Sequence, residues 1–145
     1  VSIQNAYNLL NRTFEMGLSE ICLREHISCL AYSPLAGGTL TGKYLDGSLP
    51  EKSRRALFNR MERYQKPGTD KAVRSYVELA RDHALTPEQL ALAFCQSRDF
   101  VTSTIIGATT MEQLQHNLNA FSCKLDDDVL KKIDEIHLSN PNPCP

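Results

Sequence analysis

Neither sign of charge dominates this chain of 145 residues: 16 Lys and Arg stand against 17 Asp and Glu, a net charge of -1. That balance argues against a nucleic-acid or anionic-membrane binder, whose affinity comes from phosphate contacts. No apolar run approaches the roughly 18 residues of a membrane span, and no charged-then-apolar leader opens the chain. The five cysteines (Cys22, Cys29, Cys95, Cys123, Cys144) form no C-x-x-C pair, and no H-E-x-x-H spacing links the four histidines. Cysteines that are odd in number and scattered argue against a disulfide framework or a zinc site. A reducing, cytoplasmic compartment is expected. Position 1 lacks a methionine; the chain is strand-like from Val1 onward, and a missing upstream segment is expected.

What is present reads as globular: 7 Gly, 7 Pro and 23% charged residues, with length enough for one domain's core. Strands alternate with helices. Residues 1–5 carry β-branched side chains and suggest a short strand. A helix is expected over 11–25, with Phe14, Leu18, Ile21 and Cys22 on one face. Residues 27–32 are short and mostly apolar, as in a parallel strand covered on both faces. Residues 33–68 hold four Gly before residue 48, with Pro34, Pro50 and Pro67, and predict a functional loop with one helical stretch near 53–64.

Thr69 is expected to cap a helix carrying Val73, Tyr76, Val77, Ala80 and Ala84 on one stripe. Thr86-Pro87-Glu88-Gln89 combines an N-cap, a first-turn proline and a capping box, and opens a helix with Leu90, Ala93 and Phe94. Residues 101–106 predict a third strand, ended by Gly107. Thr110-Met111-Glu112-Gln113 reads as a second capping box, before a helix aligning Leu114, Leu118 and Phe121. Asp126 starts a last helix with Val129, Leu130, Ile133, Ile136 and His137 facing inward. Residues 140–145, rich in proline, are expected to form a flexible tail. Three parallel strands leave two unpaired edges, so the sheet is expected to close with strands from elsewhere, by self-association or within a larger α/β protein.

Three segments carry a resemblance: Ser2-Ile3-Gln4-Asn5; Ala31-Tyr32-Ser33-Pro34-Leu35-Ala36-Gly37-Gly38-Thr39-Leu40-Thr41-Gly42-Lys43-Tyr44; and Ile106-Gly107-Ala108-Thr109-Thr110 with Gln113, Leu114 and Asn117. In order and spacing the chain resembles the aldo-keto reductases, in particular their bacterial Tas-like and potassium-channel β-subunit-like branch. The resemblance implies an α/β fold, the C-terminal portion (about strands 6–8 with their helices) of a (β/α)8 TIM barrel, spanning residues 1–139.

It also implies roles around an NADP(H) cofactor. Gln4 would hydrogen-bond the nicotinamide carboxamide, and Tyr32 would stack on its ring. Ser33, Leu35, Gly37 and Gly38 would line the pyrophosphate side, where glycine lets the backbone approach. Lys43 could add charge there. Gly107, Ala108 and Thr109 would receive the adenosine 2′-phosphate before a helix N-terminus, with Gln113 and Asn117 reaching the adenosine end. Many members carry Lys or Arg in that segment, where this chain has Thr109 and Thr110. The family's catalytic Asp, Tyr, Lys and His lie on earlier strands, so no catalytic residue and no metal ligand is assigned in this chain. The partners implied are the cofactor and, for the full-length parent, a small carbonyl substrate. Lys52, Arg54, Arg55, Arg60, Arg63 and Lys66 form a basic stretch, read as a solvated helix face.

Overall fold

The computed structural model describes residues 1–58 and 62–145. Three short strands set the frame: β1 Ser2–Ala6, β2 Ser28–Tyr32 and β3 Val101–Thr104. They pair in the order β1-β2-β3, both pairs parallel, as the sequence predicts. A bulge shifts the β2–β3 register between Cys29 and Leu30, and Thr102 turns its hydroxyl to accept the Cys29 N–H at 3.1 Å. The third strand stops two residues short of expectation, although the Ile105 N–H still donates to the Ala31 carbonyl at 2.8 Å.

Helices α1 Leu18–Arg24, α2 Arg54–Phe58, α3 Thr69–Asp82, α4 Pro87–Gln96, α5 Met111–Ala120 and α6 Asp127–Ser139 surround this sheet. Cys29 and Ala31 of β2 are fully buried, whereas Ser28, Leu30 and Tyr32 are half-buried. The expectation of cover on both faces is thus corrected: alternate residues face opposite ways, and one face alone meets the helical core. That core joins Tyr7, Leu9, Leu10 and Phe14 to Leu90, Phe94, Cys95 and Phe100. Tyr7 stacks on Phe94 (5.6 Å between centroids) and meets Phe100 edge-on at 5.1 Å.

Several local expectations give way. The helix over 11–25 is broken at Gly17, whose φ of +108° no helix accommodates, leaving a 3-10 turn at Thr13–Glu15 and then α1. Phe14 and Cys22 are buried while Leu18 and Ile21 are exposed. Gly68, not Thr69, stands at the N-cap of α3, and Ala84 lies beyond its end with φ +54°. Thr86 forms the full capping box. Thr110 caps α5 through the Gln113 N–H, but the Gln113 side chain turns to Thr109, so that box stays half-closed. On α5 the residues turned inward are Asn117 and Ala120, not Leu118, which is exposed. Asp126 caps α6 as expected.

Residues 140–145 contact the body. Asn142 accepts the Arg12 N–H through Oδ1 at 2.6 Å, and the Cys144 N–H donates to the Leu10 carbonyl at 3.1 Å. Cys144, fully buried, sets its Sγ 3.2 Å from Thr69 Oγ1. Among the described residues no helix is long and apolar enough to cross a membrane.

Arg12 ties these pieces together. Its guanidinium donates two bonds to Glu15, each at 2.8 Å, and a third to Asp134 of α6 at 2.7 Å. Tyr7 adds its hydroxyl to the same Glu15 carboxylate. Burial works to raise the Glu15 pKa, but the hydrogen bonds from Arg12 and Tyr7 outweigh it and hold the carboxyl below its ordinary value. A group whose folded pKa is depressed stabilises above its unfolded pKa, about 4.3 for Glu, and loses that contribution as pH falls through the folded value. Urea midpoints of the wild-type chain are therefore expected to fall between pH 6 and pH 3, and to fall less in Glu15→Gln.

Candidate functional site

Parallel strands deliver all their C-terminal ends to one edge of a sheet, the place where open α/β sheets bind ligands. Residues 7–11 follow β1, residues 33–38 follow β2 and residues 105–110 follow β3, so three connections meet at that edge. Gln4 registers with Leu30 and Ala6 with Tyr32. The two-residue period then puts Gln4 and Tyr32 diagonally on one sheet face, the face turned away from the helical core. Gln4 is exposed and Tyr32 half-buried.

Beyond Tyr32 the backbone enters the left-handed region repeatedly: φ is +55° at Ser33, +50° at Ala36, +64° at Gly37 and +92° at Gly38. Such alternation curls the chain into a concave turn. Its amides are tied locally, the Ala36 N–H to the Ser33 carbonyl and the Gly38 N–H to the Leu35 carbonyl, both at 2.9 Å. Thr41 Oγ1 donates to the Gly38 carbonyl at 2.9 Å. Lys43 folds back over the turn, so that a Cβ on Gly38 would lie 3.0 Å from both its Cε and its Nζ. A cation therefore rests against the open side of Gly38.

Two tyrosines and two arginines brace this turn from the long connection. Arg55 lies flat on the Tyr44 ring, its Cζ 4.0 Å from the centroid, and donates from Nη2 to the Tyr64 carbonyl at 3.5 Å. The Tyr32 hydroxyl holds the Arg63 guanidinium pKa above its ordinary value. The basic stretch is thus only partly a solvated face: Arg55 and Arg63 turn to tyrosines, Lys52, Arg54 and Lys66 are exposed, and Arg60 lies outside the described residues.

Sequence reasoning passed over Asn8, which is fully buried. Its Nδ2 donates to the Ser33 carbonyl at 2.9 Å and to Tyr64 Oη at 3.4 Å, and its Oδ1 accepts the Leu10 N–H at 2.9 Å. The available signal was a polar residue set inside the apolar run Tyr7-Asn8-Leu9-Leu10.

The second predicted group gathers at β3 and α5. Gly107, Ala108 and Thr109 are exposed, and a Cβ on Gly107 would meet nothing within 4 Å. Gln113 Oε1 accepts from the Thr109 N–H at 3.0 Å and from Thr109 Oγ1 at 3.1 Å. Asn117, only 4% exposed, donates from Nδ2 to the Gly107 carbonyl at 3.4 Å. Both side chains thus hold the loop from its own helix. The structure brings Gln4, Tyr32, Ser33, Leu35, Gly37 and Gly38 into one neighbourhood and Gly107, Ala108, Thr109, Gln113 and Asn117 into another along the same sheet edge.

The family model described as the aldo/keto reductase family matches residues 1–138. Among curated proteins, Protein tas of Escherichia coli K12 is 50% identical over 145 residues, covering 100% of this chain and 42% of that protein. A putative voltage-gated potassium channel subunit beta of Schizosaccharomyces pombe is 38% identical over 144 residues, 94% of this chain and 42% of that one. The solved structure of a glycerol dehydrogenase from Gluconobacter oxydans superposes with a TM-score of 0.76 at 25% identity, over 97% of this chain and 43% of that chain. The chain spans less than half the length of each of these three relatives.

The turn's geometry separates backbone cost from steric cost. Gly38→Ala meets only the flexible end of Lys43, so its penalty comes from the left-handed backbone, about 1–2 kcal/mol. Urea denaturation is expected to show that loss at the same size in a Lys43→Ala background.

Proposed function

The chain belongs to the aldo/keto reductase family, and we propose that it supplies the cofactor-binding C-terminal part, about strands six to eight with their helices, of an NADP(H)-dependent barrel enzyme reducing aldehydes or ketones to alcohols. The observation that carries this reading is the shared sheet edge: Gln4 and Tyr32 on one face, the curled turn at residues 33–38 beside them, and the Gly107 loop on the neighbouring strand.

The residues present fit an extended anionic dinucleotide. The cradle at Gly38, which a Cβ would fill, lies under the Lys43 ammonium, a placement suited to phosphate oxygens. The half-buried Tyr32 offers a ring at the strand end. Gly107 opens a loop fixed in place by Gln113 and Asn117. When bound, the nicotinamide ring supplies a hydride for a carbonyl carbon. In this reading Gln4 orients the carboxamide and Tyr32 fixes which ring face is offered. Ser33, Leu35, Gly37 and Gly38 line the pyrophosphate, and residues 107–109 with Gln113 and Asn117 take the adenosine end. Proton delivery belongs to the part of the parent enzyme outside these 145 residues. The five free cysteines, four of them buried, suit a reducing, cytoplasmic setting.

A second reading has its own observation. α1 exposes Leu18, Ile21 and Leu23, and α5 exposes Met111 and Leu118. A half-barrel acting as a nucleotide-binding or homodimeric assembly module would cover them with a second copy, and would sediment as a dimer with cooperative unfolding.

The chain contains no tryptophan, so NADPH emission can be followed without protein interference. Titration is expected to give saturable binding, tighter for NADPH than for NADH. Tyr32→Ala is expected to weaken it about tenfold, the equivalent of a lost aromatic contact near 1.4 kcal/mol. With an aldehyde added, the chain alone is expected to show no turnover, since general acid catalysis contributes about 10²–10⁴-fold. Absence of saturable binding by either nucleotide, or steady NADPH oxidation, would overturn the reading.

A further inference from the structure

The Tyr32–Ser33 turn has an unusual support. Most of its bonds are local, but a side chain crosses from another strand's connection: the Asn8 carboxamide donates to the Ser33 carbonyl at 2.9 Å while reaching Tyr64 Oη at 3.4 Å. Asn8 is itself locked, because its Oδ1 takes the Leu10 N–H and residues 8 and 11 exchange backbone bonds of 3.1 and 3.0 Å. Its burial is complete, so no water competes for these groups. The Tyr7 N–H adds a bond to the Tyr32 carbonyl at 3.2 Å, holding the preceding peptide.

We infer that Asn8 is a positioning residue for the nicotinamide half of the bound cofactor: it fixes the Ser33 carbonyl, one peptide beyond Tyr32, and so the tilt of the Tyr32 ring, without touching the cofactor. The inference rests on the proposed cofactor site. Ser33 has φ +55°, a conformation a non-glycine residue holds only when its surroundings impose it, and the Asn8 amide supplies that constraint. The adenosine loop at residues 107–109 has separate supports, Gln113 and Asn117. The two halves of the cofactor site are consequently braced by different side chains.

Asn8→Asp keeps the acceptor for the Leu10 N–H and removes the donor to Ser33. Tyr64→Phe removes the hydroxyl that the Asn8 amide also reaches and keeps the ring that fills the core. In the 145-residue chain, each variant is expected to weaken NADPH about tenfold while leaving adenosine 2′-monophosphate, measured by displacement from the Gly107 loop, within twofold of wild type. Equal weakening of both nucleotides would mean a merely structural role for Asn8, and unchanged NADPH affinity in a folded Asn8→Asp would mean none; either result overturns the inference. If Asn8→Asp fails to fold, Tyr64→Phe carries the same comparison, and an unchanged NADPH affinity there overturns it equally. Wild-type chain binding neither nucleotide would instead remove the cofactor reading itself.

Discussion

A single guanidinium, that of Arg12, joins parts of the chain that no strand pairing connects. It holds the Glu15 carboxylate on two nitrogens, reaches Asp134 of α6 with the third and lies 5.3 Å from the Phe94 ring centroid. Only 7% of the side chain is exposed, so its charge is costly unless every donor finds a partner. The partners come from the connection after β1, the last helix and the central helix α4. The segment carrying Arg12 also carries Asn8, which reaches the Tyr32–Ser33 turn. The placement of the candidate site therefore descends from a core ion cluster as much as from the sheet.

The elements that sequence periodicity and capping identify best are those whose signals are local. Thr86-Pro87 and Asp126 announce helix starts that need no tertiary partner, and short β-branched or apolar runs mark three strands whose parallel order follows from the helices between them. Gly17 shows the limit: the apolar spacing of Phe14, Leu18 and Ile21 mimics one helix, but a residue at φ +108° interrupts it. On α5 the apolar stripe was legible while its burial was not, because the polar Asn117 turns inward to hold the Gly107 carbonyl.

The candidate site was legible through residue types at chain turns, as at Gly37 and Gly38, because glycine is the residue a left-handed backbone favours. Its supports were not legible. Asn8, Tyr64 and Arg63 act over separations of dozens of residues, such as 56 between Asn8 and Tyr64. Neither spacing nor composition encodes such pairings. The tail escaped for the same reason, since its proline content describes a local conformation and says nothing of the Leu10 and Arg12 groups that receive it.

That tail has a kinetic consequence. The bond from the Arg12 N–H to Asn142 spans 130 positions, and the Arg12–Asp134 bond spans 122. Closing a flexible loop of that length costs about 4 kcal/mol of chain entropy before any contact repays it. The α3–α4 pair and the β1–α1–β2 unit need far shorter closures. The clasp at Arg12 thus belongs to the late stage of folding, after the helices and strands it fastens, and a nascent chain cannot form it until Asp134 and Asn142 have been synthesised.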